Sequence, residues 1–206
     1  MNAEDRPMRA DARRNRVRVL RAAETVLARE GLGASMRSIA QEAGVGLGTI
    51  YRNFPTQEAL YEAIIVERVQ RLIDHAATLR EAVDADAGDA FFGFFTEIVA
   101  NSTRQRALAD VLVEAGIDIK AGMSETGKAM REAVEALLAR AQRAGAVRED
   151  LRMPELLALL SATCMAAERN QWDDALRARA LGLLFDGFRP QRPEGWAPPP
   201  KPDRAR

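Results

Sequence analysis

The spacing of apolar residues between positions 35 and 55 predicts two short helices separated by a tight turn. The first helix has one stripe of apolar residues at helical spacing: Met36, Ile39, Ala40 and Ala43. Ser35 precedes the stripe as a candidate N-cap, because its hydroxyl can accept a hydrogen bond from an otherwise unpaired backbone N–H. Gly44 follows it, where a left-handed helix end costs glycine little.

A second helix is predicted over 46–53. Val45 is the apolar residue of the turn, and Ile50 is placed to face the first helix. Pro55 ends the second helix, because proline lacks an N–H and disfavours helix in the residue before it. Two short helices across a glycine-containing turn form a helix-turn-helix, whose second helix can enter the major groove of DNA.

The stretch Met36–Tyr61 resembles the DNA-binding signature of the TetR family of bacterial transcriptional regulators. The matching residues are Ser35, Ile39-Ala40, Ala43-Gly44-Val45, Gly48-Thr49-Ile50-Tyr51, Asn53-Phe54, Thr56, Glu58 and Leu60. An ordinary helical hairpin is the other interpretation, but it has no need of Gly48, Thr49 and Tyr51 together. The resemblance covers about the first third of the chain.

The second helix supplies the residues that we expect to contact DNA. Six of its residues are candidates, of which all but the leucine are small or polar: Gly46, Leu47, Gly48, Thr49, Tyr51 and Arg52. The glycines allow close approach to the groove. Leu47 and Thr49 offer methyl groups and a hydroxyl to base edges, and Arg52 can donate to guanine or to phosphate. The Tyr51 hydroxyl suits a phosphate, a contact that fixes register and not sequence.

The resemblance implies further phosphate contacts at the ends of neighbouring helices. It places Ser35 and Arg37 at the start of the first helix, and Gln57 at the start of the next one. Helix N-termini attract anions in any case. Many relatives have Lys or Arg at position 57, so the glutamine here should weaken the sequence-independent part of DNA binding.

The rest of the chain reads as helix, because alanine, leucine, arginine and glutamate dominate it. Apolar periodicity predicts further helices over about 11–30, 56–83, 90–102, 104–116, 124–144, 154–169 and 173–188. Residues 1–10 and the proline-rich residues 190–206 are expected to be disordered.

These patterns predict an all-α protein with an N-terminal three-helix helix-turn-helix head and a C-terminal helical body for ligand binding and dimerisation. The expected boundaries are 1–60 for the DNA-binding domain, 61–189 for the body and 190–206 for the tail. The ending GLLFDGFRP also resembles the C-terminal body of an SbtR-like subgroup.

The two helices at about 154–169 and 173–188 carry more apolar surface than one core-facing stripe needs. In a monomer that excess would form an exposed apolar patch. We therefore expect a homodimer in which these helices and their symmetry mates form a four-helix interface. The TetR resemblance implies the same arrangement.

Charge is distributed unevenly, although the net charge of the chain is zero. Residues 1–60 contain ten arginines and seven acidic residues, which gives +3 and leaves −3 for the remainder. The basic excess lies in the part predicted to bind the DNA duplex. The single Cys164 excludes an intramolecular disulfide and suits a reducing cytoplasm, and no apolar run is long enough for a membrane span.

The sequence contains no pattern typical of catalysis. One cysteine and one histidine, His75, give no nucleophilic dyad at a plausible spacing, and there is no P-loop or metal-ligand cluster. We therefore predict no enzymatic activity, no cofactor and no metal.

A small-molecule pocket in the body is implied by the family resemblance. Large apolar residues in the middle elements are the candidates for its lining: Phe91, Phe95, Met123, Met130 and Trp172. Glu114 and Asp118 would supply polarity for a cationic ligand. An equally good interpretation places most of these residues in the plain core.

The resulting hypothesis is a homodimeric, ligand-responsive transcriptional regulator that acts as a repressor on a palindromic, double-stranded DNA operator. A small molecule bound in the body would release it. It would act in the cytoplasm, at the nucleoid. The alternative is an α-helical small-molecule or partner-binding protein in which the helix-turn-helix is only a scaffold. The two hypotheses differ in the salt dependence of DNA binding, which is steep for the regulator and absent for the scaffold protein.

Overall fold

The computed structural model of the protein describes residues 5–82, 86–115 and 124–190. These residues form eight α-helices and no strand, which confirms the all-α class. The helices are α1 (Asp5–Glu30), α2 (Met36–Ala43), α3 (Leu47–Asn53), α4 (Gln57–Glu81), α5 (Ala87–Glu114), α6 (Ser124–Arg143), α7 (Met153–Arg169) and α8 (Asp174–Phe188). None of these helices is both long and apolar enough to cross a membrane.

The helix-turn-helix forms by the local signals that the sequence contains. The Ser35 hydroxyl accepts a hydrogen bond from the Ser38 N–H at 3.0 Å and caps α2. Gly44 ends α2 with a left-handed backbone at φ 63°. Ile50 of α3 is fully buried against α1 and α2 in the core of the head. That core also contains Val19 and Val26 of α1, both fully buried.

The first helix begins earlier than the apolar pattern predicts. It starts at Asp5 and not near Asp11, so residues 5–10, expected to be disordered, are helical. Pro7 does not prevent this, because a proline in the first turn lacks only an N–H that has no partner within the helix. The expectation for residues 1–4 lies outside the described residues.

A single long helix, α5, replaces the two helices predicted over 90–102 and 104–116. Ser102 does not interrupt it, since its hydroxyl bonds back to the Val99 carbonyl at 2.9 Å within the same helix. This long helix packs into two hydrophobic cores, one in the head and one in the body. Its first half carries phenylalanines into the core of the body, while Leu108 and Leu112 are buried in the core of the head.

The body is a second hydrophobic cluster formed by α4 to α8. The Arg140 side chain of α6 donates to the Ala82 carbonyl at 2.7 Å and to the Leu79 carbonyl, which ties α6 to the end of α4. Gly145 follows the end of α6 with φ 70°. Pro154 lies in the first turn of α7, and the Asp173 carboxylate caps α8 by accepting from the Leu176 N–H at 2.7 Å. The bounds of α6, α7 and α8 each lie within one residue of the predicted ranges.

An ion-pair cluster joins the head to the body. Glu24 of α1 accepts from Arg68 Nε at 2.6 Å and from Arg71 Nη2 at 2.7 Å, both on α4. Burial alone would raise the pKa of the Glu24 carboxyl, but the hydrogen bonds and charges of the two guanidiniums outweigh it and hold that pKa below 4.5. The ionised carboxylate therefore stabilises the packing of α1 on α4.

Replacing Glu24 by glutamine is expected to lower the free energy of unfolding at pH 7 by about 1–2 kcal/mol, because charge-assisted hydrogen bonds at a partly exposed site are lost. The pKa of Glu24 is depressed in the folded state, so its contribution is complete above the ordinary pKa and is lost as pH falls through the folded value. Urea denaturation should therefore show the full difference between wild type and Glu24→Gln at pH 7 and at pH 5.5, and a smaller one at pH 3.5. A difference independent of pH would contradict this role of the charge.

Candidate nucleic-acid interface

The third helix has one face in the core and one face in solvent. It begins after Gly46, whose carbonyl accepts the Thr49 N–H at 2.8 Å and the Ile50 N–H at 3.3 Å. Ile50 is fully buried, whereas the Tyr51 side chain is 48% exposed and Arg52 is exposed. The helix therefore presents Tyr51 and Arg52 to solvent, two of the side chains that the sequence assigned to DNA.

Gly46 and Gly48 also lie on this outer surface. A Cβ atom built at either position meets no other atom within 4 Å, and neither residue has positive φ. Gly46 is the N-cap of α3, a position where glycine is common. Gly48 lies inside the helix, where nothing in the fold requires glycine and where it costs about 0.5–1 kcal/mol relative to alanine. Because Gly46 and Gly48 have no side chains, the backbone of α3 can approach another molecule closely at these two positions.

Arg52 is held along the outer face of α3. Its Nε donates to the Gly48 carbonyl at 3.2 Å and its Nη2 to the Thr49 hydroxyl at 3.1 Å. The Asn53 amide also donates to the Thr49 carbonyl, at 2.8 Å. The guanidinium thus lies beside Thr49, so that one hydroxyl and one cation face solvent together. Leu47, the remaining predicted contact, is half-buried against the head core.

The three predicted phosphate-binding residues have different surroundings. Arg37 is exposed in the first turn of α2. The Ser35 hydroxyl caps α2 and also contacts the Ser38 hydroxyl at 2.8 Å. The Gln57 amide nitrogen donates to the Ala34 carbonyl at 3.0 Å and to the hydroxyl of Tyr61. The Gln57 side chain therefore ties α4 to the loop before α2.

The link through Gln57 and Tyr61 was missed by sequence reasoning. Tyr61 is buried, and its hydroxyl lies 3.4 Å from the Leu32 carbonyl as a donor. The available signal was the i, i+4 spacing of a glutamine and a tyrosine on one helix, which places their side chains together. The pair positions the N-terminus of α4 relative to the helix-turn-helix.

A second contact that the sequence did not indicate involves Arg16 on α1, one of the ten arginines counted in residues 1–60. Its guanidinium lies 4.6 Å from the centre of the Phe54 ring, a residue directly after α3. Arg16 and Arg18 are exposed, and Arg18 donates to Asn15 at 2.9 Å. Of the arginine-rich N-terminal segment, the structure describes the side chains of residues 15 onward only. These cations lie on the same head as α3.

The structure describes four of the five candidates for a ligand pocket. Phe91 and Phe95 are buried, and their ring centres lie 6.5 Å and 6.0 Å from that of Phe188. Met130 and Trp172 are half-buried against the same cluster. Met123 lies outside the described residues, as does Asp118, and Glu114 is exposed. The pocket assignment stays a prediction.

Within the described ranges, no group of three or more His, Cys, Asp or Glu side chains is placed to hold a metal ion. The site on the head is instead one of small, polar and cationic groups on a short helix. A helix of this kind, presented by a three-helix head, defines the helix-turn-helix class of DNA-binding regulators.

Comparison with known proteins gives the family within that class. Residues 19–64 match the family described as "Bacterial regulatory proteins, tetR family", and residues 86–190 match "Transcriptional regulator SbtR-like, C-terminal domain". The chain belongs to the TetR family of transcriptional regulators, and its body is of the SbtR-like type. Both resemblances drawn from the sequence are thereby confirmed.

Individual relatives agree with this assignment. A TetR transcription regulatory protein from Mycobacterium vanbaalenii has 40% sequence identity over 89% of this chain and 99% of its own, with a TM-score of 0.71. The TetR regulator SCO0520 from Streptomyces coelicolor has 33% identity over 86% and 99%, with a TM-score of 0.68. The regulator UidR of Escherichia coli K12 is 28% identical over 70% of this chain and 74% of its own.

Proposed function

We propose that the protein is a homodimeric repressor that binds a palindromic DNA operator through α3 and is released by a small molecule. The observation that carries the proposal is the outer face of α3, where Gly48, Tyr51 and Arg52 are exposed and Thr49 lies half-buried beside Arg52. We assign the phosphate contacts to Ser35 and Arg37 at the start of α2 and to Gln57 at the start of α4, since helix N-termini attract anions.

The dimer is proposed to form through α7 and α8. Four large apolar side chains on these two helices are exposed: Leu159, Met165, Leu176 and Leu183. Burying them against a second copy removes apolar surface from water without a change of fold. A twofold dimer would place two α3 helices about 34–36 Å apart, the spacing at which each reads one half of a palindrome.

Release by a small molecule requires that the ligand bind the form with low DNA affinity more tightly. Solved structures of the same fold include two proteins that bind small molecules. One is a gamma-butyrolactone receptor with 20% identity, and the other is RolR, 16% identical, in complex with resorcinol. They support a ligand-responsive body in this chain but not the identity of its ligand.

Alanine substitutions on α3 test the DNA interface. Tyr51→Ala, Thr49→Ala and Arg52→Ala should each weaken operator binding by about 1–3 kcal/mol while the protein stays folded. Thr78→Ala on α4 and Arg143→Ala on α6 are matched controls, because both residues are exposed away from the head. Fluorescence anisotropy with labelled operator would measure the affinities. Unchanged binding in all three α3 variants would refute the assignment.

Salt dependence separates this proposal from the scaffold alternative. Neutralisation of phosphates by arginine makes the logarithm of the DNA affinity fall linearly with the logarithm of salt concentration. We expect a steep slope for the wild type, reduced in Arg37→Ala and in Arg52→Ala. A protein whose helix-turn-helix is only a scaffold would show no specific binding and no such slope.

A further inference from the structure

A cavity of about 370 Å³ lies between the head and the body, apart from the interface on α3. α1 contributes Leu27 and Ala28, the following turn contributes Leu32, and α5 contributes Leu108. Its volume falls in the range of about 300–1,000 Å³ that is typical of small-molecule sites. Leu32 is 42% exposed, a large apolar side chain that nothing in the described residues fully covers. The cavity thus has apolar walls and an open side.

One end of this cavity is charged. Glu24 and Arg68 line it, and Arg71 shares the same Glu24 carboxylate. Two guanidiniums therefore face one carboxylate, and these three side chains carry a net charge of +1. The C-terminal carbonyls of α1 add about half a negative charge at the edge, which leaves the balance positive. Arg68 is 15% exposed and so lies in surroundings where a charge is weakly screened.

Apolar walls with a positive end fit one class of ligand. We propose that the junction cavity binds a small amphipathic carboxylate, with its hydrocarbon part between Leu27, Leu32 and Leu108 and its carboxylate at Arg68. A guanidinium binds a carboxylate through paired N–H donors, so the charged end would fix the orientation of the ligand. An aliphatic amine would instead meet the positive end with a like charge.

Occupancy would act on the head directly. A ligand carboxylate at Arg68 competes with Glu24, which is the α1 partner in the ion pairs that hold α1 on α4. Weakening that link favours head positions other than the one in this structure. This regulatory consequence, a loss of operator affinity, rests on the proposed function, whereas binding of the carboxylate does not.

The test is isothermal titration calorimetry of the full chain with octanoate, 1-octanol and octylamine, in the absence of DNA. Octanoate should bind at least tenfold more tightly than either of the other two. Ala28→Phe should fill the cavity without removing a charge, since Ala28 is exposed on α1 and lines the cavity. Octanoate binding should fall at least tenfold in Ala28→Phe and in Arg68→Gln. It should stay unchanged in Ala139→Phe, the matched exposed position on α6.

The outcomes separate this inference from the proposed function. No octanoate binding at millimolar concentration, equal binding of octanol or tighter binding of octylamine would overturn the assignment of the ligand class. Equal octanoate binding by Ala28→Phe and wild type would overturn the location. Operator binding in the absence of octanoate is measured separately, so a chain that fails to bind DNA would leave the calorimetric result intact. Addition of octanoate should lower operator affinity at least threefold in the wild type and not in Ala28→Phe.

Discussion

Replacing Gly48 by alanine is expected to make the protein more stable and to weaken its binding to operator DNA. A Cβ at this position meets no atom of the protein within 4 Å, so nothing in the free structure opposes it. Alanine should stabilise the helix by up to about 0.5–1 kcal/mol, because it loses less backbone entropy on folding than glycine. On DNA the same methyl group would hold α3 away from the groove, and we expect at least a tenfold loss of affinity, or about 1.4 kcal/mol.

Gly93→Ala is the matched control for this substitution. Gly93 lies within α5, is exposed and also has open space around the position of a Cβ atom. It should give a similar gain in stability and leave operator affinity unchanged. Thermal denaturation and anisotropy on both variants separate the two effects. Equal operator affinities for Gly48→Ala and wild type would show that α3 does not approach DNA closely at this glycine.

Replacing Leu183 by arginine should convert the proposed dimer into a monomer and remove operator binding. The Leu183 side chain is 66% exposed on α8, in the face proposed to meet a second copy. A guanidinium placed without a partner in that apolar interface would cost about 3–5 kcal/mol, whereas on an isolated chain it costs almost nothing. A monomer has one α3, so operator affinity should fall by at least about two orders of magnitude, a loss of roughly 3 kcal/mol.

Val113→Arg provides the comparison. Val113 is 67% exposed, nearly the same as Leu183, but lies on α5 outside the proposed interface. Analytical ultracentrifugation should give about twice the chain mass of 22.6 kDa for the wild type and for Val113→Arg, and the single mass for Leu183→Arg. A wild type that sediments as a monomer, or a Leu183→Arg dimer that still binds operator, would contradict the proposed interface.

The local architecture of the head was predictable because its signals lie within a few residues of each other. Ser35 and Gly44 bracket α2 by capping chemistry, and Ile50 follows from helical periodicity. In the body, Pro154 in the first turn of α7 and the Asp173 cap of α8 are local signals of the same kind. Each of these helix ends depends on backbone hydrogen-bonding groups that one nearby side chain satisfies, or that proline lacks.

Features that depend on contacts distant in sequence were not predictable in this way. α5 is one continuous helix where two were predicted. Its second half carries Leu108 and Leu112, which pack in the core of the head, whereas the phenylalanines of its first half pack in the core of the body. The ion pairs of Glu24 with Arg68 and Arg71 join residues more than forty positions apart. Amphipathic periodicity shows that such side chains lie on one face of a helix, but not which helix they meet.

The candidate DNA site was largely accessible from the sequence, because its residues belong to one short motif. The exception is Gln57, where the resemblance implies a phosphate contact and the structure shows the amide bonded to the Ala34 carbonyl and the Tyr61 hydroxyl. A sequence motif predicts where a residue lies in the fold, but it does not predict which groups its side chain hydrogen-bonds to. Arg16 was counted in the basic excess of residues 1–60, but its contact with Phe54 was not predictable, since the two residues are distant in the sequence.

Selection of genomic DNA by the purified protein is the decisive test of operator recognition. Sheared DNA from the source organism would be incubated with the full chain, recovered with it and sequenced, with Leu183→Arg carried through in parallel. We expect one or a few enriched sites that share an inverted repeat, with half-sites centred about 10–10.5 base pairs, or a multiple of that, apart, and no enrichment by Leu183→Arg. Recovery without sequence preference, or of sites that lack an inverted repeat, would contradict a dimer that reads a palindrome through α3.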